Sequence, residues 1–98
     1  MVTVQMQRKF SLGKTVMTDG IAALAEENPD FFEDVFFALG RFVSGDWGDI
    51  CEEDKGENEL ALKYEGRLMG VYESGGTVYW IITECDRSVT TVLLPEEY

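Results

Sequence analysis

Apolar positions follow two different periods along the chain. From Phe32 through Val35, Phe36, Leu39, Phe42 and Val43 they recur at helical spacing, and Phe31 and Phe37 widen the stripe. Asn28-Pro29 opens this segment, with Asn suited to the cap, Pro to the first helical position, and Asp30 and Glu33 to the positive end. Its aromatic density predicts a core helix; an exposed partner-binding ridge is the alternative. A shorter helix is expected from about Gly20 to Glu27, capped by Thr18 or Asp19 and packing through Ile21, Ala22, Leu24 and Ala25. A third is expected from Cys51 or Glu52 to Lys63, with Leu60, Ala61 and Leu62 near its end and Gly56 as a weak point.

The C-terminal third changes to strand patterning. Arg67–Glu73 and Thr77–Glu84 flank Ser74-Gly75-Gly76, a hairpin signal, and Thr77–Thr83 is apolar on both faces, as a central strand is. Ser88–Leu94 reads as a further strand stopped by Pro95. At the other end, Val2–Phe10 alternates weakly, Leu12-Gly13-Lys14 signals a turn, and Thr15-Val16-Met17 continues as extended chain. The sum predicts one α+β domain over residues 1–98: two or three helices packed on one face of a three- to four-stranded, mainly antiparallel sheet.

Composition narrows the chemistry. The chain has 98 residues and is 45% hydrophobic, enough for one core. No apolar run reaches the roughly 18 residues of a membrane span, and the N-terminus lacks a signal-like apolar stretch, so a cytoplasmic location is expected. Cys51 and Cys85 do not form a CxxC pair; they are expected as small buried or half-buried residues rather than a bridge. Histidine is absent, which removes Ser-His-Asp and Cys-His catalysis and His-based zinc sites from this chain. No cofactor is expected.

Charge says more about partners. Nineteen acidic residues against eight basic ones leave a net charge of −11. Such a field disfavours direct binding to nucleic acid or anionic membranes and favours a basic protein surface, such as that of a nucleic-acid-binding protein. The acids are not spread evenly. Residues 1–18 hold Arg8, Lys9 and Lys14 with no acid, whereas residues 46–59 hold seven acids against Lys55.

The candidate contact residues lie in that acidic stretch: Asp46, Trp47, Asp49, Glu52 and Glu53. Trp47 sits between two glycines in a loop, where it either plugs the core or anchors a partner. Asp49 suits the cap of the following helix. Asp46, Asp49, Glu53 and Asp54 also supply carboxylates of the kind Mg²⁺ or Ca²⁺ takes, although their spacing does not fit an EF-hand. Asp86-Arg87-Ser88 is expected to organise a turn, and Glu96-Glu97-Tyr98 to form a solvated acidic tail.

Two stretches resemble a known group. Ser44-Gly45-Asp46-Trp47-Gly48-Asp49 with Glu53-Asp54-Lys55 and Asn58-Glu59-x-Ala61-Leu62 is one; the tail from Trp80 through Glu84-x-Asp86-Arg87-Ser88 to Tyr98 is the other. Together they resemble a family of small uncharacterised proteins carried on bacterial plasmids, integrated elements and phages, often labelled "plasmid-related protein". The resemblance covers residues 40–98 well and the first 40 loosely, through Thr15–Ile21. It implies a mobile-element accessory protein and carries no catalytic residues; an inhibitor of host defence is an analogy to that setting. Three functions follow from these readings: an acidic interaction protein or inhibitor, a carboxylate-dependent phosphoryl hydrolase, and a structural homodimer.

Overall fold

The computed structural model of the chain describes residues 8–98. Its elements are β1 (Lys14–Met17), α1 (Asp19–Glu27), α2 (Pro29–Val43), α3 (Glu52–Tyr64), β2 (Leu68–Ser74), β3 (Thr77–Thr83), β4 (Val89–Leu93) and a 3-10 turn at Pro95–Glu97. The four strands form one sheet in the order β1-β4-β3-β2. The expected α+β architecture is therefore what the chain adopts, with a mixed sheet: β2–β3 and β3–β4 are antiparallel, while β1 runs parallel to β4. The N-terminal strand reading falls outside the described residues up to Gln7, and Arg8–Phe10 are irregular.

The hairpin is local chemistry. Gly75 and Gly76 both take positive φ, 56° and 86°, as a two-residue turn between twisted strands requires. The β1–β4 pairing is tertiary. Lys14 N–H donates to Ser88 O at 3.0 Å and Thr18 N–H to Val92 O at 3.0 Å. A buried hydroxyl pair reinforces it: Thr90 Oγ1 donates to Leu12 O at 2.6 Å, so Thr83, 2.6 Å away, is the donor to Thr90.

Register assigns the two sheet faces. Thr90 and Val92, Tyr79 and Ile81, and Leu68 and Tyr72 point to the face on which the helices pack, and all six are buried. On the opposite face Val16, Thr91, Ile82 and Met69 align across the strands. Tyr98 packs edge-on against Trp80 there, with ring centroids 5.5 Å apart. The apolar character of β3 on both faces thus matches a central strand.

α2 begins as expected: Asn28 Oδ1 accepts from the Asp30 and Phe31 N–H groups, and Pro29 holds the first position. Its buried face is Phe31, Val35, Ala38 and Phe42, with Val43 beside it. This corrects the core-helix reading for Phe32, Phe36 and Phe37, which lie 39%, 61% and 74% exposed. At 100° per residue they fall outside the arc that the sheet covers.

Three further expectations are corrected. Asp49 does not cap α3; Cys51 occupies that position without a side-chain bond, and the Asp49 N–H donates to Val71 O at 2.8 Å. Cys51 and Cys85 are free and exposed, because one precedes a helix and the other sits in a turn. The acidic tail is docked on its own chain. Glu97 accepts from Thr18 Oγ1 at 2.5 Å, from Gly20 N–H at 3.0 Å and from Leu94 N–H at 3.0 Å. It therefore supplies the cap bond at the start of α1 that Thr18 itself does not make, adding to the carboxylate of Asp19 in the first turn.

Candidate functional site

The acidic segment is built on a structural plug. Trp47 is 3% exposed and packs against Phe42 (5.5 Å) and Phe10 (6.1 Å), so it belongs to the core rather than to an exposed anchor. Its backbone joins the sheet: Val71 N–H donates to Trp47 O at 3.1 Å, completing a short parallel bridge beside β2. Gly48 has φ 75°, and a Cβ there would collide with the Val71 carbonyl, so only glycine fits this approach. Asp46 holds the plug from outside. Its carboxylate accepts from Arg41 Nε at 2.8 Å and from Gly48 N–H at 3.1 Å, and its carbonyl accepts from Tyr72 Oη at 2.7 Å. The Arg41 hydrogen bond is the largest cause holding the Asp46 carboxyl below its ordinary pKa.

α3 then lies along the β2 edge. Asn58, its one buried residue, donates from Nδ2 to Met69 O at 2.7 Å and accepts at Oδ1 from Met69 N–H at 3.2 Å. One amide side chain thus mimics a neighbouring strand and closes an edge that is otherwise open to pairing. Arg87, at positive φ, reaches the other end: its guanidinium donates to Ala61 O (3.1 Å) and Gly66 O (2.5 Å) at the α3 C-terminus. Asp86 instead accepts from the Ser88 backbone N–H at 3.0 Å and hydroxyl at 2.5 Å. The turn at Asp86-Arg87-Ser88 is organised as expected, but Arg87 works on α3 rather than on Asp86.

What remains for contacts is acidic and solvated. Asp49, Asp54 and Glu57 line a cleft of about 410 Å³ between the start of α3 and β2, and Glu52 and Glu53 are exposed on the same first turns of the helix. Lys55 pairs with Glu52 at 3.3 Å and is the sole base in this stretch. Of the five candidate contact residues, Asp49 and Glu53 present free carboxylates, Glu52 is exposed but shared with Lys55, Asp46 is shared with Arg41, and Trp47 lies beneath them. Among the described residues, no group of three or more Asp, Glu, His or Cys gathers closely enough to hold a metal ion, so Asp46, Asp49, Glu53 and Asp54 are not assembled as a ligand set. The buried hydroxyls are also committed. Ser74 donates to Asp34, and Tyr79 donates to Asp34 O at 3.3 Å, its pKa pushed up to about 12 mainly by burial.

A second surface is of opposite character. A groove of about 520 Å³ runs between α2 and β1, lined by Phe32, Phe36, Leu39 and Val43 on the helix and Thr15 and Met17 on the strand. Its lining contains Arg8 and no acidic residue. Phe32 and Phe36 stack edge-to-face at 4.9 Å, and Met17 is 41% exposed. Sequence reasoning placed these phenylalanines in the core. The signal against that was their number: aromatics at adjacent positions 31/32 and 36/37 cannot all share one face of a helix.

No protein-family model, curated protein or solved structure matches this chain.

Proposed function

We propose that this chain is an acidic interaction protein whose exposed α3 face and adjoining loop engage a basic surface of another protein, with nucleic-acid-binding proteins the best-matched class. The observation that carries the reading is the set of exposed carboxylates at the start of α3: Asp49, Asp54 and Glu57 line one cleft, Glu52 and Glu53 project beside it, and the single lysine of the stretch offsets only Glu52. Charges at the start of a helix cost little fold stability there, because the α3 dipole favours them. Their field reaches about one Debye length into solvent and accelerates encounter with a cationic surface. Asp46, Trp47 and Asn58 serve this surface indirectly, by fixing the loop and helix to the sheet edge. In a mobile-element setting, the same chemistry suits an inhibitor of a host defence or nucleic-acid-processing protein.

Affinity capture from nuclease-treated bacterial lysate, at low and high salt, tests the proposal. Expected is a basic protein that is released by high salt and that fails to bind the Glu52→Lys/Glu53→Lys double variant. A captured protein insensitive to both salt and charge reversal contradicts it.

A further inference from the structure

We infer that the α2–β1 groove is the meeting surface for a second copy of this chain, joined edge to edge through β1. Three observations converge on one occupant.

β1 is the outermost strand among the described residues and pairs only with β4. Lys14 and Thr18 direct their N–H groups to Ser88 and Val92, so the alternation of a strand turns the backbone groups of Thr15 and Met17 outward. The opposite edge of the same sheet is closed at Met69 and Val71 by Asn58 and the Trp47–Asp49 bridge. One edge is guarded and the other is ready to pair.

Beside that edge lies contiguous exposed apolar surface: Met17, Phe32 and Phe36. Monomeric proteins keep such patches small, and an apolar groove running along an unpaired strand is the geometry of strand addition.

Charge bears on the partner locally. A basic protein is drawn to the acidic surfaces, and the groove offers it nothing: residues 8–18 contain Arg8, Lys9 and Lys14 and no acid. A second copy brings an identical unpaired edge and apolar surface, together with Asp19 at the end of that edge as the acid nearest to Lys14. A two-fold axis through Val16 sets Thr15 opposite Met17 of the second copy, which pairs all the outward backbone groups of both residues. It also brings Lys14 beside Thr18 and Asp19 of the second copy. The contact is self-complementary and closes, giving one continuous eight-stranded sheet (twice the four strands of one chain). Because each copy carries −11 and the interface is apolar, added salt tightens the pair by screening the repulsion.

Sedimentation of the full chain across two decades of concentration, at low and high salt, tests this. Expected is a monomer–dimer equilibrium that strengthens with salt. Thr15→Pro removes only an outward N–H, as an edge strand tolerates, and Phe36→Asp places a charge in the groove. Each is expected to weaken dimerisation about tenfold or more, while circular dichroism confirms the fold. Phe37→Asp, 74% exposed but outside the groove, is expected to leave the dimer intact. A monomer at every concentration and salt overturns the inference, as does a dimer indifferent to both groove variants. So does a monomeric full chain that dimerises only after removal of residues 2–7, because the chain's own first segment then occupies the groove.

Discussion

The two solvent-facing sides of this molecule are opposites. At the start of α3 the exposed side chains are mainly carboxylates, with Leu60 and Tyr64 exposed only in its second half, and the sheet edge beneath is closed by Asn58 and the Trp47 loop. Around the α2–β1 groove the exposed apolar side chains are phenylalanine and methionine, acids are absent from the lining, and no strand pairs with the outer edge of β1 among the described residues. The difference teaches that a single net charge describes neither surface. An acidic face recruits by long-range attraction and is weakened by salt; an apolar edge works at contact and is strengthened by it. The two proposed associations therefore use separate surfaces and respond to salt in opposite directions.

The largest expected effect comes from removing the plug that ties the acidic side to the core. Trp47→Ala is expected to cost about 3–5 kcal/mol in denaturant unfolding, because it empties a site walled by Phe10 and Phe42. Retained stability with lost partner capture would instead make Trp47 a contact residue.

Next is the clamp on the β2 edge. Asn58→Leu leaves the Met69 N–H and C=O without their partners and is expected to cost about 1–3 kcal/mol. It also opens a second edge, so the variant is expected to show new, higher-order association in light scattering. An unchanged stability and mass would mean that water replaces the amide without consequence.

Acidification separates the sides more gently. The Asp46 carboxyl is held low first by its Arg41 hydrogen bond, and that of Glu97 first by the Thr18 hydroxyl. Both folded-state values lie below the unfolded ones. The stability each group adds is therefore present above the ordinary carboxylate value of about 4 and is lost as pH falls through the lowered folded value. The Arg41–Asp46 pair is half exposed, so Asp46→Asn is expected to cost under about 1 kcal/mol. Thermal melts from about pH 6 to about pH 2 are expected to show a decline in Tm that Asp46→Asn and Glu97→Gln each flatten. Parallel curves for wild type and variants would contradict the assignment.

The smallest stability effect belongs to the proposed contact residues. Glu53→Lys is expected to change stability by no more than about 0.5 kcal/mol while weakening partner binding. A large loss of stability would place Glu53 in the fold rather than on the contact surface.

Local chemistry was legible in the residues; long-range partnership was not. Asn28-Pro29 and Ser74-Gly75-Gly76 dictate their own geometry, and both lie where the pattern places them. The surplus of phenylalanine in α2 was visible, but which face meets the sheet is decided by tertiary packing, and Phe36 fell on the uncovered side. Glu97 looked like a solvated tail because its partners, Thr18 and Gly20, lie 79 and 77 positions away. Arg87 read only as part of a local turn because its carbonyl partners, Ala61 and Gly66, lie in and just beyond α3. Parallel pairing of β1 with β4 joins opposite ends of the chain and leaves no local trace. For the proposed contact surface, composition located the acidic stretch, but free carboxylates could be told from committed ones only in the fold: Asp49 and Glu53 face solvent, Glu52 shares Lys55, and Asp46 is held by Arg41.

The most direct test of the acidic surface is the association rate of the captured partner with this chain, measured by stopped flow across a salt series. A contact through Asp49, Glu52 and Glu53 predicts a rate that falls steeply as salt rises, with the Glu52→Lys/Glu53→Lys variant slow and nearly flat. A wild-type rate independent of salt, or a variant with the wild-type slope, would contradict the account.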